Sequence, residues 1–310
     1  MLSKVAERIY WTARYLERVE STARMINIYD QLLFDTPRSV RISWYNLVVI
    51  NDLEQAFGSQ YTVQDERNVV KFLVADDSNP SSLVSSLRAI RENVRTTRDV
   101  VLEETWEQVN ELSLYVQDNL PAGIGRNRRH AFLQHIIHGC QQILGLLYGS
   151  MPHDAAWDFL RLGRNLERAD MTTRNLDAAI AAIAGLGDEP GAVNSSQMIW
   201  GTLLRSLNAD LSYRRKLHLA VQGAEVVRYL LEDDEFPRAI AHCLDAMIDS
   251  AGRLPKSRAI QSDWQQLRQQ LFDEVDYAVL NGPLHQYLNT LQGHLAGLHR
   301  QICETWFPAG

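Results

Sequence analysis

The feature that most constrains this chain is that part of it occurs twice. Arg14-Tyr15-Leu16-Glu17-Arg18-Val19-Glu20-Ser21-Thr22-Ala23-Arg24 returns as Arg164-Asn165-Leu166-Glu167-Arg168-Ala169-Asp170-Met171-Thr172-Thr173-Arg174, both following R-x-L-E-R-x-[ED]-x-T-x-R. Later segments match in the same order: Trp44 with Trp200, Val69-Val70-Lys71-Phe72-Leu73 with Val226-Val227-Arg228-Tyr229-Leu230, and Asp76-Asp77 and Pro80 with Asp233-Asp234 and Pro237. Trp106-Glu107-Gln108 then answers Trp264-Gln265-Gln266. Colinear matches along the whole length point to a tandem duplication of about 150 residues, joined near Met151-Pro152. Two copies are too few for a solenoid, so the expected product is a pseudo-twofold helical bundle. Residues 1–151 would form the first repeat and 152–310 the second, packed as one globular unit.

Apolar residues recur at helical spacing almost everywhere, and no stretch alternates with the period of two that a sheet needs. The expected fold class is all-α. Breaks are expected at Asp35-Thr36-Pro37, Asp76 to Pro80, Asn119 to Gly123, Met151-Pro152, Gly185 to Ser196, Asp233 to Pro237, Leu254-Pro255 and Asn281-Gly282-Pro283. They divide the chain into about ten to twelve helices. With 310 residues, 45% of them hydrophobic and 22% charged, the chain can bury a large core and is not of the disordered class.

A formal charge of -7 argues against general attraction to nucleic acid or anionic lipid. Cys140, Cys243 and Cys303 are odd in number and far apart, which fits neither a disulfide framework nor a cysteine zinc site. The opening residues reach charge too early for a signal peptide, and nowhere do eighteen apolar residues run together. The expectation is a soluble, cytoplasmic protein with no membrane segment. Only Lys4, Lys71, Lys216 and Lys256 are lysine, so the positive charge is nearly all arginine, the residue suited to fixed bidentate pairing.

The repeated segment is apolar on two faces when read as a helix. Ile9, Leu16, Val19, Ala23 and Ile26 line one side of the first copy, and Phe159, Leu162, Leu166, Ala169, Thr173 and Leu176 that of the second. Tyr10 and Trp11 flank Arg14, while Trp157, Leu160 and Met171 fall around Arg164. A helix sandwiched in this way carries its polar stripe inward. That stripe is Arg14, Glu17, Glu20 and Arg24 in one copy and Arg164, Glu167, Asp170 and Arg174 in the other. Two readings follow. In the structural one, ion pairs at three- and four-residue spacing cement the repeats. In the functional one, the stripes meet in a polar cavity that receives a charged ligand. Glu17 or Glu167 is then the candidate general base, with Arg14, Arg18, Glu20, Arg24, Arg164, Arg168, Asp170 and Arg174 as candidate substrate contacts.

A dimetal carboxylate centre would need Glu-x-x-His on two helices, whereas this chain has Glu17-x-x-Glu20 and Glu167-x-x-Asp170 beside arginines. Guanidinium charge opposes a cation, so no metal is expected. Arg91, Arg95 and Arg98 stand at helical spacing and form either a solvated helix face or a second candidate anion site, Arg95 and Arg98 in the latter case joining the substrate-contact set. Gly123-Ile124-Gly125-Arg126-Asn127-Arg128-Arg129-His130 lacks Walker spacing and reads as an interhelical loop. His135 with His138, and His294 with His299, have no carboxylate third ligand in sequence. No serine elbow, dinucleotide fingerprint or cysteine with a placed histidine is visible.

Leu2-Ser3-Lys4-Val5-Ala6-Glu7-Arg8-Ile9-Tyr10-Trp11, the Arg14 to Arg24 segment, and Trp157-x-Phe159-Leu160-x-Leu162-Gly163-Arg164-x-Leu166-Glu167-Arg168-Ala169-Asp170-Met171-Thr172 together resemble the bacterial alpha-E domain family. Arg91-Glu92-Asn93-x-Arg95 with Trp106-Glu107 fits the same pattern, and the resemblance covers essentially the whole chain. Thr12-Ala13 and Val19 depart from it, with Val19 adding bulk at a helix contact. Members are helical proteins whose genes neighbour, or are fused to, a circularly permuted ATP-grasp amidoligase, often with a transglutaminase-like peptidase nearby. The resemblance implies an accessory role in ATP-dependent peptide or amide bond formation, with ATP and Mg on the ligase and no cofactor on this chain. An enzyme acting on an aminoacyl or peptidyl amide, and a noncatalytic scaffold with an ion-pair core, are the alternatives.

Overall fold

The computed structural model describes residues 2–35, 42–186, 192–218, 220–273, 275–277, 279–280 and 282–308. Among them it is all-α, with fourteen helices and no strand. In chain order these are α1 (Ser3–Asp35), α2 (Asn46–Ile50), α3 (Glu54–Gln60), α4 (Glu66–Val74), α5 (Leu83–Arg95), α6 (Glu103–Ile124) and α7 (Arg126–Ser150). There follow α8 (Ala155–Ala184), α9 (Ala192–Ser206), α10 (Asp210–Leu217), α11 (Gly223–Glu232), α12 (Ile240–Arg253), α13 (Arg258–Gln270) and α14 (Gly282–Trp306). The count exceeds the expected ten to twelve because α2 and α3, of five and seven residues, are too short to show a periodicity in sequence. Parts of the breaks expected at Asp35-Thr36-Pro37, Gly185 to Ser196 and Asn281-Gly282-Pro283 lie outside the described residues.

By compactness the chain divides into one unit of Met1–Tyr29, Trp44–Glu167 and Trp306–Gly310, and a second of Asp30–Ser43 and Arg168–Thr305. These bounds follow contact density and are distinct from the 1–151 and 152–310 division read from the repeat. In the first unit α4, α5, α6 and α7 pack on one another, with Val69, Phe72, Leu87, Ile90, Val109, Phe132 and Ile136 buried between them. The two apolar faces expected of the repeated helix are buried in both copies, from Ile9 to Ile26 and from Phe159 to Leu176, apart from Trp11, which is half-buried. Gly163 allows α8 to touch α1, because a Cβ there would run into the carbonyl oxygen of Tyr10. In the second unit α9 packs on α10 and α11, and α12 on α11 and α13. Along α14, Leu288, Leu291, Leu295, Leu298 and Ile302 recur at three- and four-residue intervals and are buried.

Local chemistry explains most breaks. Asp76 accepts a hydrogen bond from the Ser78 amide at 2.9 Å, and its repeat counterpart Asp233 accepts from the Glu235 amide at 3.0 Å. The same Asx turn thus ends helical structure after α4 and after α11. One expected break does not form: α6 continues through Asn119 to Gly123 with Pro121 inside its last two turns. Gly123 there serves packing rather than termination, since a side chain on it would collide with the Phe132 ring of α7. The basic stretch after it is no loop: Gly125 alone joins α6 to α7, and Arg126 onward is helix.

Candidate functional site

The stripe residues of α1 and the first part of α8 come together inside the first unit. Arg14 donates from Nε to Glu167 Oε2 at 2.7 Å, and Arg18 donates from Nε to Glu167 Oε1 at 2.5 Å and from Nη2 to Oε2 at 3.1 Å. In the opposite sense, Arg164 donates from Nε to Glu17 Oε2 at 3.2 Å. The first arginine of each copy therefore reaches the first glutamate of the other. Aromatic rings back the guanidinium groups: Trp11 lies 5.0 Å from that of Arg14, and Tyr148 lies 4.6 Å from that of Arg164. Tyr148 carried no signal in sequence, because it lies outside the repeated segment.

Glu17 and Glu167 are 0% and 1% exposed. Burial by itself raises the Glu167 carboxyl, but the charges of Arg18 and Arg14 and their hydrogen bonds outweigh it and hold the group at about 2. One turn along α1, Glu20 is buried, accepts from Arg24 Nη2 at 2.7 Å and from Gln141 of α7 at 3.3 Å. Arg24 Nε is buried with no hydrogen-bond partner among the described residues. Cys140 of α7 lies near these acids, and burial first, then Glu20 and Glu17, push its thiol up, which makes it inert as a nucleophile.

The remaining sequence-predicted residues lie elsewhere. Asp170 and Arg174 pair with each other at 2.9 Å in the second unit, each about one-fifth exposed. Arg168, half-buried, donates to the Pro237 carbonyl at 3.4 Å. Arg95 is exposed and paired with Glu92. Arg98 does not share its helical face, because α5 ends at Arg95. Instead Arg98 and Arg91 lie over Trp106, at 4.1 and 5.7 Å from the ring centre. Cys303 does have a placed histidine, with Sγ 3.7 Å from His299 Nδ1 one turn earlier on α14. Among the described residues no three His, Cys, Asp or Glu side chains gather as a metal site, and no helix is long and apolar enough to cross a membrane.

Residues 1–307 match a family described as "a predicted alpha-helical domain with a conserved ER motif", Alpha-E. Glu-Arg pairs stand at Glu7-Arg8, Glu17-Arg18, Glu66-Arg67 and Glu167-Arg168; Glu17, Arg18 and Glu167 belong to the ion-pair cluster, whereas Arg168 lies apart on the Pro237 carbonyl. An uncharacterized protein of Mycobacterium bovis and one of Mycobacterium tuberculosis are each 24% identical to the chain over 324 residues. The match covers 96% of this chain and 35% of each relative, so the chain spans about a third of their length. No solved structure matches it significantly.

Proposed function

This chain belongs to the Alpha-E family, and on that premise we propose that it is a noncatalytic partner of an ATP-grasp amidoligase forming peptide or amide bonds. The observation that carries the noncatalytic part is the state of Glu167. A general base must be within reach of its substrate and titrate near the working pH. Glu167 is closed from solvent, already accepts three hydrogen bonds from two arginines, and is held at about 2. Such a carboxylate takes up no proton at neutral pH. Glu17, equally buried and engaged by Arg164, is no better placed.

The arginines first considered as substrate contacts are committed in the same way, Arg14 and Arg18 to Glu167 and Arg164 to Glu17. The cluster is therefore read as the ion-pair core of an accessory domain. The ligase partnership rests on the family resemblance. ATP and Mg belong to the ligase in this reading, a transglutaminase-like peptidase is a further partner, and the pair works in the cytoplasm. The test is reconstitution of the chain with the ATP-grasp ligase encoded beside it, with ATP, Mg and an amino-acid mixture, following ADP release and amide products by mass spectrometry. The chain alone should give neither, and the ligase should turn over faster with the chain than without it. Product formation by the chain alone, or ligase rates indifferent to it, would overturn the proposal.

A further inference from the structure

Three arginines of the first unit stand exposed beside a tryptophan: Arg91 and Arg95 on α5, Arg98 just beyond its end, and the half-buried Trp106 on α6. The Arg98 guanidinium lies 4.1 Å from the centre of the Trp106 ring and that of Arg91 5.7 Å from it, so one ring holds two cations in place. Arg91 also donates from Nε to Asn110 Oδ1 at 2.6 Å, one turn along α6 from Trp106. Among the described residues neither Arg91 nor Arg98 is bridged to a carboxylate. Arg95 is bridged to Glu92, but with side-chain exposures of 55% and 59%, and water screens a pair so open that its net worth is small. Hydrogen bonding from Arg95 holds the Glu92 carboxyl below the usual carboxylate range, and the charges of Arg95, Arg8 and Arg91 add to that effect. Of the other acids, Asp99 and Glu103 flank the group in sequence, while Glu104, Glu107 and Glu111 lie further round α6 from Trp106.

The second unit shows that packing does not require these arginines. In the register of the sequence repeat, Leu87, Ile90 and Val94 of α5 answer Leu244, Met247 and Ala251 of α12, and all six are buried. Arg91, Arg95 and Arg98 answer Ile248, Gly252 and Pro255. Trp106 answers Trp264, which is 2% exposed and donates to Gln301 Oε1 at 2.6 Å. The same core face thus serves both helices, while the arginines and the open tryptophan ring are a feature of the first.

We propose that this face docks an acidic segment of a partner protein. The partner's carboxylates take the planar guanidinium forks of Arg91 and Arg98 and exchange with Glu92 at Arg95. Trp106 is the rigid support: with guanidinium groups already laid on its ring, little side-chain freedom is lost when the partner arrives. Tryptophan and arginine are also the residue types on which interface energy concentrates. A nucleic-acid backbone fits less well, because a chain of net charge -7 repels a long polyanion beyond the reach of three arginines, whereas a short acidic segment does not extend that far. The surface is independent of the ligase partnership.

The indole N–H resonance of Trp106 reports on docking, in 15N-labelled full-length chain with the peak assigned by its loss in Trp106→Phe. Hexaglutamate, acetylated and amidated so that only its side chains carry charge, should move that peak saturably, and the response should weaken as salt is raised. Hexaglutamine should leave it in place. Arg91→Gln and Arg98→Gln should each weaken binding by about fivefold at an unchanged melting temperature, since both side chains are exposed. Glu92→Gln should tighten binding by a similar factor, because it releases Arg95 to the peptide; arginines with a purely structural role would give no such gain. An unmoved Trp106 peak up to about 10 mM hexaglutamate, binding indifferent to Arg98→Gln, or hexauridylate bound more tightly than hexaglutamate overturns the proposal, the last by making the surface a phosphate site.

Discussion

Glu167→Gln is expected to lower the stability of the chain by about 3–5 kcal/mol, a fall in melting temperature on the order of 10 °C. The substitution keeps the size of the side chain but removes the charge on which Arg14 and Arg18 both converge, leaving two guanidinium groups largely out of solvent facing a neutral amide. Losing one side of a buried pair costs more than the pair contributes, because the remaining charge has been stripped of water without compensation. Calorimetry or thermal circular dichroism reads the effect. Ligase stimulation by the variant should track its folded fraction, since the defect lies in folding. A variant that melts like the parent yet fails to support the ligase would return Glu167 to the list of catalytic groups.

Acid should act through the same carboxylate. Its folded value of about 2 lies below the ordinary glutamate value of 4.5, so the folded state holds fewer protons than the unfolded one between them. The stabilisation is fully present above pH 4.5 and drains away as pH falls toward 2, with a loss of about 3 kcal/mol from this group. Other carboxyls contribute in the same window. Asp76, for example, is pushed up by its burial, but hydrogen bonds from Ser78 and Tyr61 outweigh it and hold the carboxyl low. The difference between parent and Glu167→Gln isolates the one group: denaturant unfolding measured from pH 7 to pH 2.5 should show the two stabilities converging as the solution becomes more acidic. Parallel curves would contradict the proposed protonation state.

Much of this fold is legible in the sequence, and the reasons are local. The apolar faces of α1 and α8 follow from the 3.6-residue period alone, and the turns at Asp76 and Asp233 follow from what an aspartate does to the amide two residues on. The i,i+4 pairs Glu20 with Arg24 and Asp170 with Arg174 were likewise set by spacing. What escaped depends on which face meets which. Spacing places Arg14 and Glu17 on one stripe of one helix, but it carries no information that Arg14 reaches across to Glu167 and Arg164 to Glu17. Pro121 signals a stop in sequence because proline usually is one, whereas here the packing of Gly123 against Phe132 accompanies helix through it. Spacing puts Arg98 on one face with Arg91 and Arg95 only if α5 continues to it, and the helix ends three residues short. That the buried indole N–H of Trp200 finds no acceptor among the described residues has no counterpart in sequence, since only tertiary packing decides whether a buried donor is paired.

A double-mutant cycle on Arg14→Met and Glu167→Gln, with unfolding free energies measured at pH 7, tests the ion-pair core most directly. If Glu167 is a structural anion shared by two arginines, each single change is costly and the second adds little to the first, giving a coupling energy of about 2 kcal/mol. Effects that add to within about 0.5 kcal/mol would mean that Arg14 and Glu167 do not act on each other in solution, and the reading of the repeated segment as a buried, noncatalytic ion-pair cluster would fail.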